Sequence, residues 1–211
     1  TIKTPSTKKP FPSVTFARAL LLNHQSELRG SMNTVRHEQE VLEYVRWGNL
    51  PRLEEFLREG GDVNALYHKG QTLLITAVEA GKQPVVEYLI RVGADLNQRD
   101  FSDRTPLMYA ADRSDAAITK LLLDSGADVN AQNKLGLTAL MYAAYRDAVG
   151  VVEALVNSGA DVNIRDRRHL SALNYSDNRR AYKSRKILKK RGGVYASRQK
   201  AGKGGSAFLT A

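Results

Sequence analysis

A period of 33 residues governs this chain. The phrase GGDVNAL starts at Gly60, and GADLNQR, GADVNAQ and GADVNIR start at Gly93, Gly126 and Gly159, which sets Asn64, Asn97, Asn130 and Asn163 one period apart. A second marker keeps the same step: Thr72, Thr105, Thr138 and Ser171, each followed two places on by leucine (Leu74, Leu107, Leu140, Leu173). Two markers in one register with no insertion mean that one supersecondary unit is copied along the chain. Such a chain buries its apolar surface between neighbouring copies, not around a single centre.

One copy reads as a helical hairpin. Thr105 before Pro106 is a helix start, with the hydroxyl as cap and proline at the first position, where its missing N–H costs nothing. Leu107, Ala110 and Ala111 form a narrow inner face, and Ile118, Leu121 and Leu122 give a second helix at helical spacing. Gly126 ends that helix, and ADVNAQNKLG supplies Asp, Asn and Gly for a turn-rich connection. The fold expected is all-α, with about five units near 34–66, 67–99, 100–132, 133–165 and 166–193. QEVLEYVRWGNLPRLEEFLREGGDVNA fits the first unit without a Thr-Pro-Leu opening, as suits a terminal cap. In the fifth, Leu155 and Gly159 map onto Leu188 and Gly192. Residues 1–33 are expected to be a basic N-terminal extension and 194–211 a flexible C-terminal tail.

RTPLMYAADRS and LTALMYAAYRD, with the closing phrase VVEYLIRVGADLNQ, resemble ankyrin repeats. The position that the family usually gives to His holds Ile75, Met108, Met141 and Asn174 here, so apolar packing is expected in place of the family's Thr–His link. The resemblance implies an ankyrin-repeat solenoid with short hairpin-like loops. It also implies a non-enzymatic scaffold or adaptor that binds a protein along its concave side, formed by loop tips and first helices. Mapped through the period, the partner-binding positions are Phe101, Arg104, Arg113, Lys134, Leu135, Leu137, Tyr145 and Arg146, where aromatic and arginine side chains mix as in binding hot spots.

Charge divides the chain. The formal net charge is +10, yet residues 32–166 are mildly acidic, and from Arg167 to the end there are 13 Lys or Arg against one acid, Asp177. A polyanion-binding set is therefore expected in Arg167, Arg168, Arg179, Arg180, Lys183, Arg185, Lys186, Lys189, Lys190 and Arg191. Ile187 and Leu188 are expected to face inward, with Arg185, Lys186, Lys189, Lys190 and Arg191 covering the outer end. Basic ends favour a protein partner with an acidic patch. The second reading is a nucleic-acid-associated subunit of a larger ribonucleoprotein complex, anchored by the basic C-terminal repeat and tails.

Catalytic and cofactor chemistry is not expected. With no cysteine, thiolate metal sites and thiol nucleophiles are excluded. His24, His37, His68 and His169 form no metal-ligand pair, and Asp62, Asp95, Asp128 and Asp161 recur at one point of each copy, which marks turn formers. KRGGVYASRQKAGKGG lacks the spacing of a phosphate-cradling loop. No apolar run is long enough for a membrane span and no small-molecule substrate is implied. The compartment expected is intracellular, the cytoplasm first, with nucleus or organelle interior as alternatives.

Overall fold

The computed structural model describes residues 39–178 and 181–195, the side chain of residue 178 excepted. Of Thr1–Val41, one unit, residues 39–41 are described and are helical; Leu42–Ala211 form the second unit. The expected N-terminal extension, most of the C-terminal tail, Arg179 and Arg180 lie outside the described residues.

Among the described residues every regular element is helical. A helix, α1, ends at residue 47. It is followed by α2 (Leu50–Arg58), a short 3-10 turn (His68–Gly70), α3 (Leu73–Glu79), α4 (Gln83–Arg91), α5 (Pro106–Asp112), α6 (Ala116–Asp124), α7 (Ala139–Arg146), α8 (Val149–Asn157), α9 (Ala172–Asn178) and α10 (Tyr182–Lys190). The first helices of successive units stack as α3 on α5, α5 on α7 and α7 on α9; the second helices stack as α4, α6, α8 and α10. No helix among the described residues is long and apolar enough to cross a membrane.

The periodic leucines form the core. Leu74, Leu107, Leu140 and Leu173 are all buried, as are Leu89, Leu122, Leu155 and Leu188 in the second helices. Helices of seven to nine residues are too short to persist alone, so this shared burial between units is what holds them.

Hydrogen bonds tie unit to unit through the repeated Asp-x-Asn. Each aspartate folds its own turn: Asp95 Oδ1 accepts from the Asn97 amide at 2.8 Å and Asp128 Oδ1 from the Asn130 amide at 3.0 Å. Each asparagine then reaches the next unit. Asn64, Asn97 and Asn130 accept through Oδ1 from the amides of Asp95, Asp128 and Asp161, each at 2.8 Å, and Asn163 closes the series on the Val194 amide at 3.0 Å. The recurring carboxylates are thus turn formers in fact.

Two expectations about helix starts need correction. Thr72 and Thr138 cap their helices through Oγ1, on the amides of Ile75 and Met141. Thr105 does not: its Oγ1 is buried without a partner, and the Met108 amide bonds the Thr105 carbonyl instead. The other concerns the family's His position. Ile75, Met108 and Met141 are buried and apolar as expected, but Asn174 restores a polar link. Its Oδ1 accepts from both the amide and the hydroxyl of Ser171 at 3.0 Å. A side chain three residues into a helix reaching back to the preceding cap is the reciprocal half of a capping box.

Candidate partner-binding surface

Between the units, three of the loop tips are organised by an Asx residue and a tyrosine nine places later, whereas the His68–Gly70 tip has Tyr67 and Thr76 at these positions. Asp100, Asn133 and Asp166 each accept two backbone amides through Oδ1: Ser102 and Arg104, Leu135 and Leu137, Arg168 and Leu170. The other terminal atom meets a phenol. Tyr109 donates to Asp100 at 2.8 Å and Tyr175 to Asp166 at 2.6 Å, whereas Asn133 donates through Nδ2 to Tyr142 at 3.1 Å. Burial first, then the bond to aspartate, raises the pKa of Tyr109 and Tyr175 well above the usual phenol value. Burial also raises that of Tyr142. These phenols stay protonated and serve as struts. The pairs stand one period apart in the sequence, so the same ruler that found Thr and Leu could have found them.

Held this way, successive tips bond each other through backbone: the Phe101 amide to the Lys69 carbonyl, Lys134 to Ser102 and Arg167 to Leu135, at 3.0 to 3.2 Å. Phe101 and Leu135 project from this row, 64% and 50% exposed. The Phe101 ring lies where Gly70 leaves room, since a Cβ there would stand 2.6 Å from it. Lys134 Nζ bonds the Phe101 carbonyl at 2.5 Å. The row therefore presents His68, Lys69, Phe101, Lys134, Leu135 and Arg167, apolar groups between cations, all exposed.

Below the tips, the first-helix face is an ion-pair network. Asp112 takes Arg104 at 3.1 Å and Arg146 at 2.8 Å. The Arg104 guanidinium lies 4.0 Å from the Tyr109 ring centre and 4.9 Å from that of Tyr142. Arg113 donates to the Glu79 carbonyl at 2.6 Å, and Gln71 to the Glu79 carboxylate.

Profile models described as "Ankyrin repeats (3 copies)" and "Ankyrin repeats (many copies)" match residues 42–133 and 122–176. The chain belongs to the ankyrin repeat family. Ankyrin repeats are generally protein–protein interaction modules and typically non-enzymatic. No curated protein matches this chain.

Within the ankyrin array the expected partner-binding residues divide. Phe101, Lys134 and Leu135 come together on the tip row, and Arg113 and Arg146 are exposed on the first-helix face beside the half-buried Tyr145. Leu137 is a correction: it is buried under its tip at 4% exposure. Arg104 is a second, its guanidinium sandwiched against two tyrosines and paired with Asp112, with the side chain 16% exposed.

The expected polyanion set divides as well. Arg168 is tied to Asp166 and Tyr175; burial works against its charge, but the bond to Tyr175 and the pairing with Asp166 raise its pKa on balance. Arg185 is a correction, tucked against α9 on Asp177 at 2.8 Å and the Ser176 carbonyl instead of covering the outer end. Ile187 is half-buried and Leu188 buried. Arg191 is exposed but donates to Asn157 at 2.7 Å. Arg167, Lys183, Lys186, Lys189 and Lys190 face outward. No cluster of metal-ligating residues occurs among the described residues.

Proposed function

We propose that this ankyrin array is a non-enzymatic adaptor that holds a protein segment along its tip row. Phe101 and Leu135 would enter apolar pockets of the partner while Lys69, Lys134 and Arg167 meet its carboxylates. The observation that carries this reading is the pair of large apolar side chains exposed on tips that backbone and Asx bonds already fix. A preordered surface loses little conformational entropy on binding, and hot spots favour such desolvated apolar groups ringed by charge. Acidic segments that carry leucine or aromatic residues are the partner chemistry that fits.

The test is site-specific crosslinking in cells with a photoreactive residue at Leu135, and at Val92 as a surface control. A partner captured at Leu135, not at Val92, and lost in the Phe101→Ser variant supports the reading. Equal capture at both positions, or capture indifferent to Phe101, refutes it.

A further inference from the structure

The last helix among the described residues, α10, carries a lysine face that stability does not explain. At 100° per residue, Tyr182, Lys183, Lys186, Lys189 and Lys190 fall within one third of its circumference, opposite the buried Ala181 and Leu188. All five are exposed, Tyr182 at 71%. Its sequence, YKSRKILKK, has no acid. Among the described residues, Lys183, Lys186 and Lys190 form no salt bridge.

The neighbouring groups are committed elsewhere. Asp177 holds Arg185, and Asp147 Oδ1 accepts the Ser184 amide at 2.9 Å. Asn157 takes Arg191. Glu153, one period before Lys186, makes no salt bridge among the described residues. Lysines at spacings of three, four and seven repel one another, and in the first turn Lys183 also opposes the helix dipole, which favours cations only for Lys189 and Lys190. A solvated cap of mixed sign would avoid both costs. Repulsion of this kind is relieved when a polyanion lies along the face.

We propose that this face of α10 binds single-stranded nucleic acid, with phosphates against Lys183, Lys186, Lys189 and Lys190 and a base stacked on Tyr182. The exposed phenol among lysines is what separates a base-bearing strand from a plain polyanion. Tyr195 lies at the other end of the face, its ring centre 5.5 Å from Lys189 Nζ. From Lys183 to Lys190 the helix rises roughly 10 Å, room for about three phosphates of one strand. This site is separate from the tip row, so either proposal can fail alone.

The test is fluorescence anisotropy of the full chain with a labelled oligouridine across a salt series. Three phosphate contacts predict that log K falls against log salt with a slope of about −2. Replacing Lys183 and Lys186 with Gln should flatten the slope by about 1.4, with an unchanged circular dichroism spectrum. Tyr182→Ala should weaken binding about fivefold or more at unchanged slope. Phe101→Ser should leave it untouched. The proposal is overturned by absence of binding in low salt or by binding that ignores the α10 substitutions. It is also overturned if polyphosphate or phosphatidylserine vesicles bind as tightly as the RNA without dependence on Tyr182.

Discussion

Replacing Asp166 by Ala removes the acceptor that organises the tip of the fifth unit. Its side chain is 2% exposed and takes the amides of Arg168 and Leu170 at 2.9 and 2.8 Å and the Tyr175 phenol at 2.6 Å. Hydrogen bonds to an ionised acceptor contribute about 1.5–3 kcal/mol each. Water can reach the amide of exposed Arg168, but Leu170 is half-buried and Tyr175 buried. Two uncompensated donors put the expected loss at about 3–6 kcal/mol. Asp166→Asn provides the control that the molecule itself supplies at Asn133, which accepts two amides and donates to Tyr142. That change keeps both amide bonds, replaces the bond donated by the phenol with one that the side-chain amide donates to it, and loses charge assistance and the Arg168 ion pair, about 1–2 kcal/mol. Urea unfolding followed by circular dichroism gives the totals, and amide exchange at Leu170 localises them. An alanine variant within 1 kcal/mol of wild type, or an asparagine variant as damaging as alanine, would refute the account of the Asx–tyrosine strut.

Two further outcomes follow from the same bonds. Thr138→Val should cost about 1 kcal/mol because Oγ1 caps α7, whereas Thr105→Val should be neutral or stabilising because its buried hydroxyl has no partner; equal losses in thermal melts would contradict the two hydroxyl assignments. The folded-state pKa values of Tyr109, Tyr142 and Tyr175 are raised above 10.0, so their contribution is fully present below pH 10 and is lost as pH climbs beyond it. The unfolding midpoint should therefore fall above pH 10, and fall less steeply in a Tyr109→Phe, Tyr175→Phe double variant; parallel pH profiles would count against it.

The period, the helix pairs and the leucine columns are legible in the sequence because burial between copies must repeat at the same residue of each copy. What fails is side-chain position where two copies meet. The column of Gln71, Arg104, Leu137 and Leu170 reads as surface from its polar members, yet none is exposed, for it lies beneath the tips. Arg104 in particular is held by Tyr142 of the next copy, a contact that no single repeat encodes. Arg185 reads as one of the cations that cover the outer end of the fifth unit. It occupies the position of the buried Val86 and Val152, and in the last unit that position can hold a cation because Asp177 stands beside it.

The asparagine bonds and the amide bonds between tips share a property: every acceptor or donor across a joint is backbone or belongs to the Asp-x-Asn phrase. None depends on the side chain at the summit of a tip. His68, Phe101, Lys134 and Arg167 accordingly fill one structural position with four different chemistries. Lys134, whose Nζ also reaches the Phe101 carbonyl, is the one summit that adds a bond of its own, and elsewhere the reading head can be rewritten tooth by tooth while the backbone and Asp-x-Asn joints stay as they are.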